Sequence, residues 1–233
     1  DGCHYFTMKQ IQGRPFTDQI RSVHEASGTQ QWSPTQDGTT FRGLIQTVHK
    51  VCVTIAYAHS RSVIHRDLKP DNIMIGDFGE VLVVDWGIAK VMGSPNRGRK
   101  DIETERTADT LMQTRMGSVA GTPNYMSPEQ AQGRTDDIGP QSDVYALGAI
   151  LYEVLVGQPP FYGQPASEIL SLAKTGLPTS LRSQLSQMEE SQRPAAEVSV
   201  PSLSKHPEVL ISICERAMAS DCVERYSNVE GLA

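Results

Sequence analysis

The octapeptide His65-Arg66-Asp67-Leu68-Lys69-Pro70-Asp71-Asn72 decides how this chain reads. An acid, a lysine two positions on and an amide five positions on stand between two short β-rich runs, residues 62–64 and 73–75. Val81 to Val84 is a third such run, and Asp85-Trp86-Gly87 follows it directly. Further on come Gly121-Thr122-Pro123-Asn124-Tyr125-Met126-Ser127-Pro128-Glu129 and then Asp143-Val144-Tyr145-Ala146-Leu147-Gly148, which opens the most apolar long run of the chain.

Around this segment the pattern is mostly helical. Phe41 to His59 carries Leu44, Ile45, Val48, Cys52, Ile55 and Ala56 at helical spacing. Gln141 to Val156 reads as a helix buried in a core. Pro15 to His24, Pro165 to Lys174 and Pro207 to Ala219 read as further helices, and another starts at Asn228. Tyr5 to Met8 is a short strand. Residues 26–40 and 92–118 are loops, and residues 176–205 are irregular apart from a short helix near 181–190. Few short strands among many helices give a mainly helical α+β domain.

Composition narrows the function classes. The 233 residues, 38% of them hydrophobic, are too polar for a membrane protein and too apolar for a wholly disordered chain. A formal net charge of −6 argues against a dedicated nucleic-acid binder, which would be basic. The run from Val144 to Gly157 contains Glu153 and falls short of the roughly 20 apolar residues that span a bilayer. Cys3, Cys52, Cys214 and Cys222 match no zinc spacing and read as free thiols of a reducing, cytoplasmic compartment.

In this order the motifs make the sequence similar to the C-terminal lobe of protein kinases, of the bacterial eukaryotic-like (Hanks-type) serine/threonine kind. The resemblance implies a protein-kinase-like fold. Residues 1–13 would be the last small-lobe strand and the hinge, and residues 14–233 the large lobe, truncated in its last helix. The catalytic loop would be 65–72 and the activation segment 85–129. It implies ATP as phosphate donor, Mg2+ or Mn2+ as cofactor, and serine or threonine hydroxyls of proteins as acceptors. Self-association for trans-autophosphorylation would fit the same family.

Phosphoryl transfer passes through a loose transition state, so such a protein mainly positions groups and neutralises charge. By resemblance, Asp67 orients the acceptor hydroxyl and takes its proton, and Lys69 contacts the moving phosphate. Asn72 and Asp85 supply the hard oxygen ligands that divalent cations need. Thr122 would bond near Asp67 and Lys69. Glu129 would form a buried ion pair with Arg225. Asp143 would cap the buried helix and accept from the catalytic-loop backbone, and His65 and Trp86 would be structural. Arg66 and Lys90 would hold a phosphate on Thr114. Met8 matches the gatekeeper, the backbone of Lys9 and Ile11 would meet the adenine edge, and Met74 would form its apolar floor.

Asp77-Phe78-Gly79 is a literal copy of the family's metal-binding tripeptide, whereas Asp85-Trp86-Gly87 is not. Geometry nevertheless selects Asp85. If 73–75 runs outward and 81–84 runs back, Asp85 lands beside Asn72. Asp77 then sits at the tip, roughly 13–17 Å away at about 3.3 Å per residue.

Neither a G-x-G-x-x-G nor a V-A-I-K pattern occurs in the 233 residues. The small lobe is therefore expected outside them, and this piece alone is expected to be inactive. The alternative is a pseudokinase acting as a binding module, which predicts loss of Asp67, Lys69, Asn72 or Asp85. All four are present. A small-molecule phosphotransferase would have no reason to keep Gly121-Thr122-Pro123 and Ser127-Pro128-Glu129, which shape a peptide groove in protein kinases.

Overall fold

Every residue from Ser142 to Leu155 is buried, so the helix that carries them has no solvent face to speak of. A helix apolar all round belongs in the middle of a core. The computed structural model, which describes residues 12–27, 31–87, 89–92, 123–176, 180–191 and 206–233, places it there.

The elements, in chain order, are β1 (Arg14–Pro15), α1 (Phe16–Ala26), α2 (Phe41–Ser60), β2 (Val63–Ile64), a 3-10 turn (Pro70–Asn72), β3 (Ile73–Ile75), β4 (Val81–Val83) and β5 (Lys90–Val91). A second 3-10 turn (Pro123–Tyr125) leads into α3 (Pro128–Ala131), α4 (Pro140–Val156), α5 (Ala166–Ala173), α6 (Leu181–Ser191) and α7 (Glu208–Ala217), and a third (Val229–Gly231) follows. Among the described residues this is the mainly helical α+β arrangement that the pattern implied.

The buried helix α4 packs against α2 and α7. Burying each of its Leu, Ile and Val side chains stabilises the fold by about 1.5–3 kcal/mol. Helix α2 is amphipathic: Leu44, Val48, Val51, Cys52 and Ile55 face the core, and Thr40 caps its start by accepting from the Gly43 N–H at 3.1 Å. Helix α4 ends at Gly157, whose φ of +85° is the left-handed geometry of a helix C-cap. A Cβ there would also lie 2.6 Å from His24 Nδ1 of α1.

The sheets are small and antiparallel. One has the order β1-β3-β4, and β2 pairs with β5 in the other. Three local readings differ from the sequence expectation. Pro15 is not in α1 but pairs with Met74 as part of β1, so the helix runs over Phe16–Ala26. Lys90 and Val91, at the edge of an expected loop, form a strand because Ile64 and Val63 offer them a partner far away in sequence. The helix expected from Asn228 is a single 3-10 turn, with the Asn228 side chain accepting from the Gly231 N–H at 3.0 Å.

Candidate active site

The β3–β4 hairpin sets the site's spacing. Its register pairs Ile73 with Val83, Met74 with Leu82 and Ile75 with Val81. The Val84 N–H continues the ladder by donating to the Asn72 carbonyl at 2.9 Å, so Asp85 follows at the level of Asn72. At the other end Gly79 donates to the Gly76 carbonyl at 3.0 Å and has a φ of +80°. That is the pattern of a three-residue hairpin loop closed by a left-handed glycine. Asp77-Phe78-Gly79 is this loop, and Phe78 is 93% exposed. Lys50 of α2 anchors the tip by donating to the Gly79 carbonyl at 2.9 Å.

Asp85 has a φ of +62°, which turns the chain sharply after the hairpin. Trp86 then folds back, its Nε1 donating to the Val83 carbonyl at 3.0 Å and its ring 4.5 Å from that of His65.

His65 is fully buried. Its Nε2 lies 3.1 Å from the Val84 carbonyl, which can only accept, so Nε2 carries the proton. Nδ1 is left to accept from the Asp67 N–H at 3.3 Å. Burial pushes the imidazole below its ordinary pKa, against the pull of Asp143, and favours this neutral form.

Asp143 organises the backbone before Asp67. Its Oδ2 accepts from the His65 N–H at 2.9 Å and lies 2.8 Å from His59 Nε2; its Oδ1 accepts from the Arg66 N–H at 2.9 Å. Arg66 has a φ of +72°. A non-glycine residue there costs about 1–3 kcal/mol and persists only when its surroundings enforce it. Asp143 is not the cap of α4, contrary to expectation. The helix starts at Pro140, and the Gly139 N–H at its head is met by Ser142 Oγ at 3.3 Å. Asp143, the fourth helical residue, is thereby free to serve the loop.

Asp67 receives Lys69 Nζ on Oδ2 at 3.2 Å and Asn72 Nδ2 on the same oxygen at 3.1 Å. Asn72 Nδ2 also donates to the Asp67 carbonyl at 2.7 Å. With its nitrogen committed to Asp67, Asn72 presents its amide oxygen as the ligand-competent atom. One amide oxygen and the Asp85 carboxylate suit Mg2+, which prefers hard oxygens and leaves most of its shell to phosphate and water. Among the described residues no cluster of three or more His, Cys, Asp and Glu forms a self-sufficient metal cage.

Glu129 and Arg225 meet deep in the core. Arg225 Nη1 and Nη2 donate to Glu129 Oε1 and Oε2 at 2.8 and 3.0 Å, with side chains 0% and 3% exposed. Ser142 Oγ adds a bond to Oε1 at 2.7 Å. Met74 lies half-buried in the middle of β3. Met8, Lys9, Ile11, Thr114 and Thr122 lie outside the described residues, as does the side chain of Lys90.

Two further residues were not singled out from the sequence: Gln130, which reaches the Arg66 carbonyl, and His59, which lies against Asp143. His59 gave no signal, being one polar residue near the end of an amphipathic helix. Gln130 gave a weak one: Ser127-Pro128-Glu129-Gln130 has the S-x-x-Q spacing of a capping box. Its Oε1 accepts from the Ser127 N–H at 3.2 Å.

The comparisons agree with this geometry. A sequence model described as protein kinase domain matches residues 17–233. The serine/threonine-protein kinase PknD of Protochlamydia amoebophila (strain UWE25) is 36% identical over 233 residues, covering 98% of this chain and 21% of that protein. The protein of the same name from Chlamydia caviae is 34% identical over 229 residues, covering 98% of this chain and 22% of its own length. That of Chlamydia trachomatis serovar L2b is 36% identical over 157 residues, or 65% of this chain and 16% of the relative. The chain thus spans about a fifth of the length of the first two relatives.

Proposed function

We propose, since this chain belongs to the protein kinase domain family, that it is the catalytic part of a serine/threonine protein kinase that transfers the γ-phosphate of ATP to protein hydroxyls. The observation that carries this is the meeting of Asp67 with Lys69 and Asn72, with the hairpin returning Asp85 to the same level.

In this reading the Asp67 carboxylate accepts the hydrogen bond of the acceptor hydroxyl and takes its proton as the oxygen attacks. Lys69, 19% exposed and beside Asp67, offers its ammonium to the phosphate oxygens where charge builds. Asn72 ties the Asp67 backbone and side chain together through its nitrogen and keeps its own oxygen for a ligand. Asn72 and Asp85 would hold Mg2+ or Mn2+, which when bound screens the charge of the nucleotide phosphates. His65, neutral, steadies the Asp67 N–H without adding a second charge. Met8, Lys9, Ile11 and Met74 would contact the adenine. Thr122 would bond near Asp67 and Lys69. Arg66 and Lys90 would receive a phosphate on Thr114, added by a second copy of the protein.

The 233 residues by themselves would transfer phosphate poorly, because no Gly-rich loop pattern and no V-A-I-K lysine occurs among them. The domain would work in the cytoplasm, where ATP is available and the free thiols Cys52, Cys214 and Cys222 stay reduced. The test is Asp67→Ala in the full-length protein, assayed for Mg-dependent transfer to a protein acceptor. A loss of about 10²-fold or more is expected from removing the base. Transfer at the wild-type rate would remove Asp67 from this role.

A further inference from the structure

Gln130 bridges α3 and the catalytic loop through the two ends of one amide. Its Oε1 accepts from the Ser127 N–H at 3.2 Å and from the Ser127 hydroxyl at 3.0 Å. Its Nε2 donates to the Arg66 carbonyl at 2.7 Å. A side-chain amide can accept at one end and donate at the other within a single rigid plane.

The Arg66 carbonyl belongs to the peptide bond that joins Arg66 to Asp67. The N–H of that same bond donates to His65 Nδ1. The plane just before the Asp67 carboxylate is therefore gripped at both edges, and Gln130 is the grip from outside the loop. The residue before it, Arg66, is in the left-handed region and its N–H is held by Asp143. Strain of this kind relaxes when a restraint is removed. Freed at its carbonyl, the plane can rotate, and the Asp67 Cα–Cβ direction rotates with it.

We propose that Gln130 is a positioning residue for phosphoryl transfer, coupling the placement of residues 127–131 to the orientation of Asp67. This rests on the kinase reading above. A segment seated against the loop holds Asp67 in its working orientation, and a displaced segment releases it. Substrate-side order and base geometry thus become one variable.

The experiment compares Gln130→Glu and Gln130→Met with wild type in the full-length protein. Gln130→Glu keeps the shape and the acceptor for Ser127 but turns a lone pair toward the Arg66 carbonyl. Gln130→Met keeps the length and removes all three bonds, the two from Ser127 and the one to the Arg66 carbonyl. In each, kcat falls about tenfold, the worth of one lost buried hydrogen bond, with KM for ATP unchanged. Amide exchange at Asp67 accelerates while residues 144–155 keep their protection. For Gln130→Glu the ratio of variant to wild-type kcat rises as pH is lowered into the carboxyl range, because the protonated group regains a donor. A Gln130→Glu rate equal to wild type with unaltered exchange at Asp67 overturns the proposal. So does equal loss of protection at Asp67 and across 144–155 in both variants, which would make Gln130 a general stabiliser. An inactive wild type would count against the kinase reading instead, and exchange at Asp67 would then decide Gln130 alone.

Discussion

Arg225→Leu offers a quantitative test of how the fold is held together. Arg225 makes five hydrogen bonds: two to Glu129, and others to the carbonyls of Gln141 at 3.0 Å, Ala219 at 2.7 Å and Ser220 at 3.1 Å. Leucine fills part of the space and makes none of them. Glu129 keeps only Ser142 Oγ among these partners, at a site 3% exposed. Removing one partner of a buried pair costs about 3–5 kcal/mol, because the other charge stays behind unpaired. At about 1.4 kcal/mol per tenfold, the open population of the domain rises by roughly two to three and a half orders of magnitude. Amide exchange across residues 144–155 in the full-length protein reads this directly. The control is Arg134→Ala, which breaks a 2.6 Å pair with Asp137 whose side chains are 53% and 49% exposed. That loss should stay under about 1 kcal/mol. Acid adds a second check. Burial pushes the Glu129 carboxyl up, but the bonds from Arg225 and Ser142 and the Arg225 charge outweigh it, and the net direction is down. A depressed folded-state pKa means that the pair stabilises fully above the unfolded value of about 4.3 and is lost as pH falls through the folded one. In Arg225→Leu only burial remains strong, so the variant's deficit shrinks on acidification. A cost no larger than that of Arg134→Ala would refute the reasoning.

Other outcomes follow from the same geometry. Asp85→Asn should abolish Mg-dependent transfer, whereas Asp77→Asn, at the exposed hairpin tip, should leave activity within about twofold and stability within about 0.5 kcal/mol; parallel rate measurements on the two variants check this. Gly157→Ala forces a Cβ into the left-handed region and within 2.6 Å of His24 Nδ1, so a loss of about 1–3 kcal/mol is expected in urea unfolding of the domain. His65 is held neutral by burial, while the unfolded chain takes up a proton below about pH 6.5. Its contribution is therefore complete above that pH and declines below it, and His65→Phe should flatten the midpoint-against-pH curve there.

Long periodic or uniformly apolar segments were legible from residues alone. The axis helix α4 and the amphipathic α2 were found within a residue or so of their ends, because burial imposes a pattern over many turns. The hairpin was legible too, since its β-rich arms and the turn chemistry of 76–80 force the chain back. What escaped was anything created by a distant partner. Strand β5 exists because Val63 and Ile64 pair with it, and α3 is too short to have a period. The same limit applies in the site. Asp143 looked like a cap because Asp caps helices well, but Ser142 meets the Gly139 N–H and leaves Asp143 to the loop. His59 acts through the Asp143 carboxylate and Gln130 through the Arg66 carbonyl, and no motif displays either partner. The pairing of Glu129 with Arg225, 96 residues apart, came from family resemblance and not from any local pattern.

The β3–β4 hairpin also constrains how this region can change in length. Side chains and ladder bonds alternate with a period of two, so one residue added to a single arm would invert its faces and swing Asp85 off the level of Asn72. Residues added between Gly76 and Glu80 would only lengthen a loop whose tip is already in water. The invariant is that the two arms match, not that Asp85 stands 13 residues after Asn72. Tolerance to insertion should therefore be sharply local: high at Phe78, and absent three or four residues away on either side.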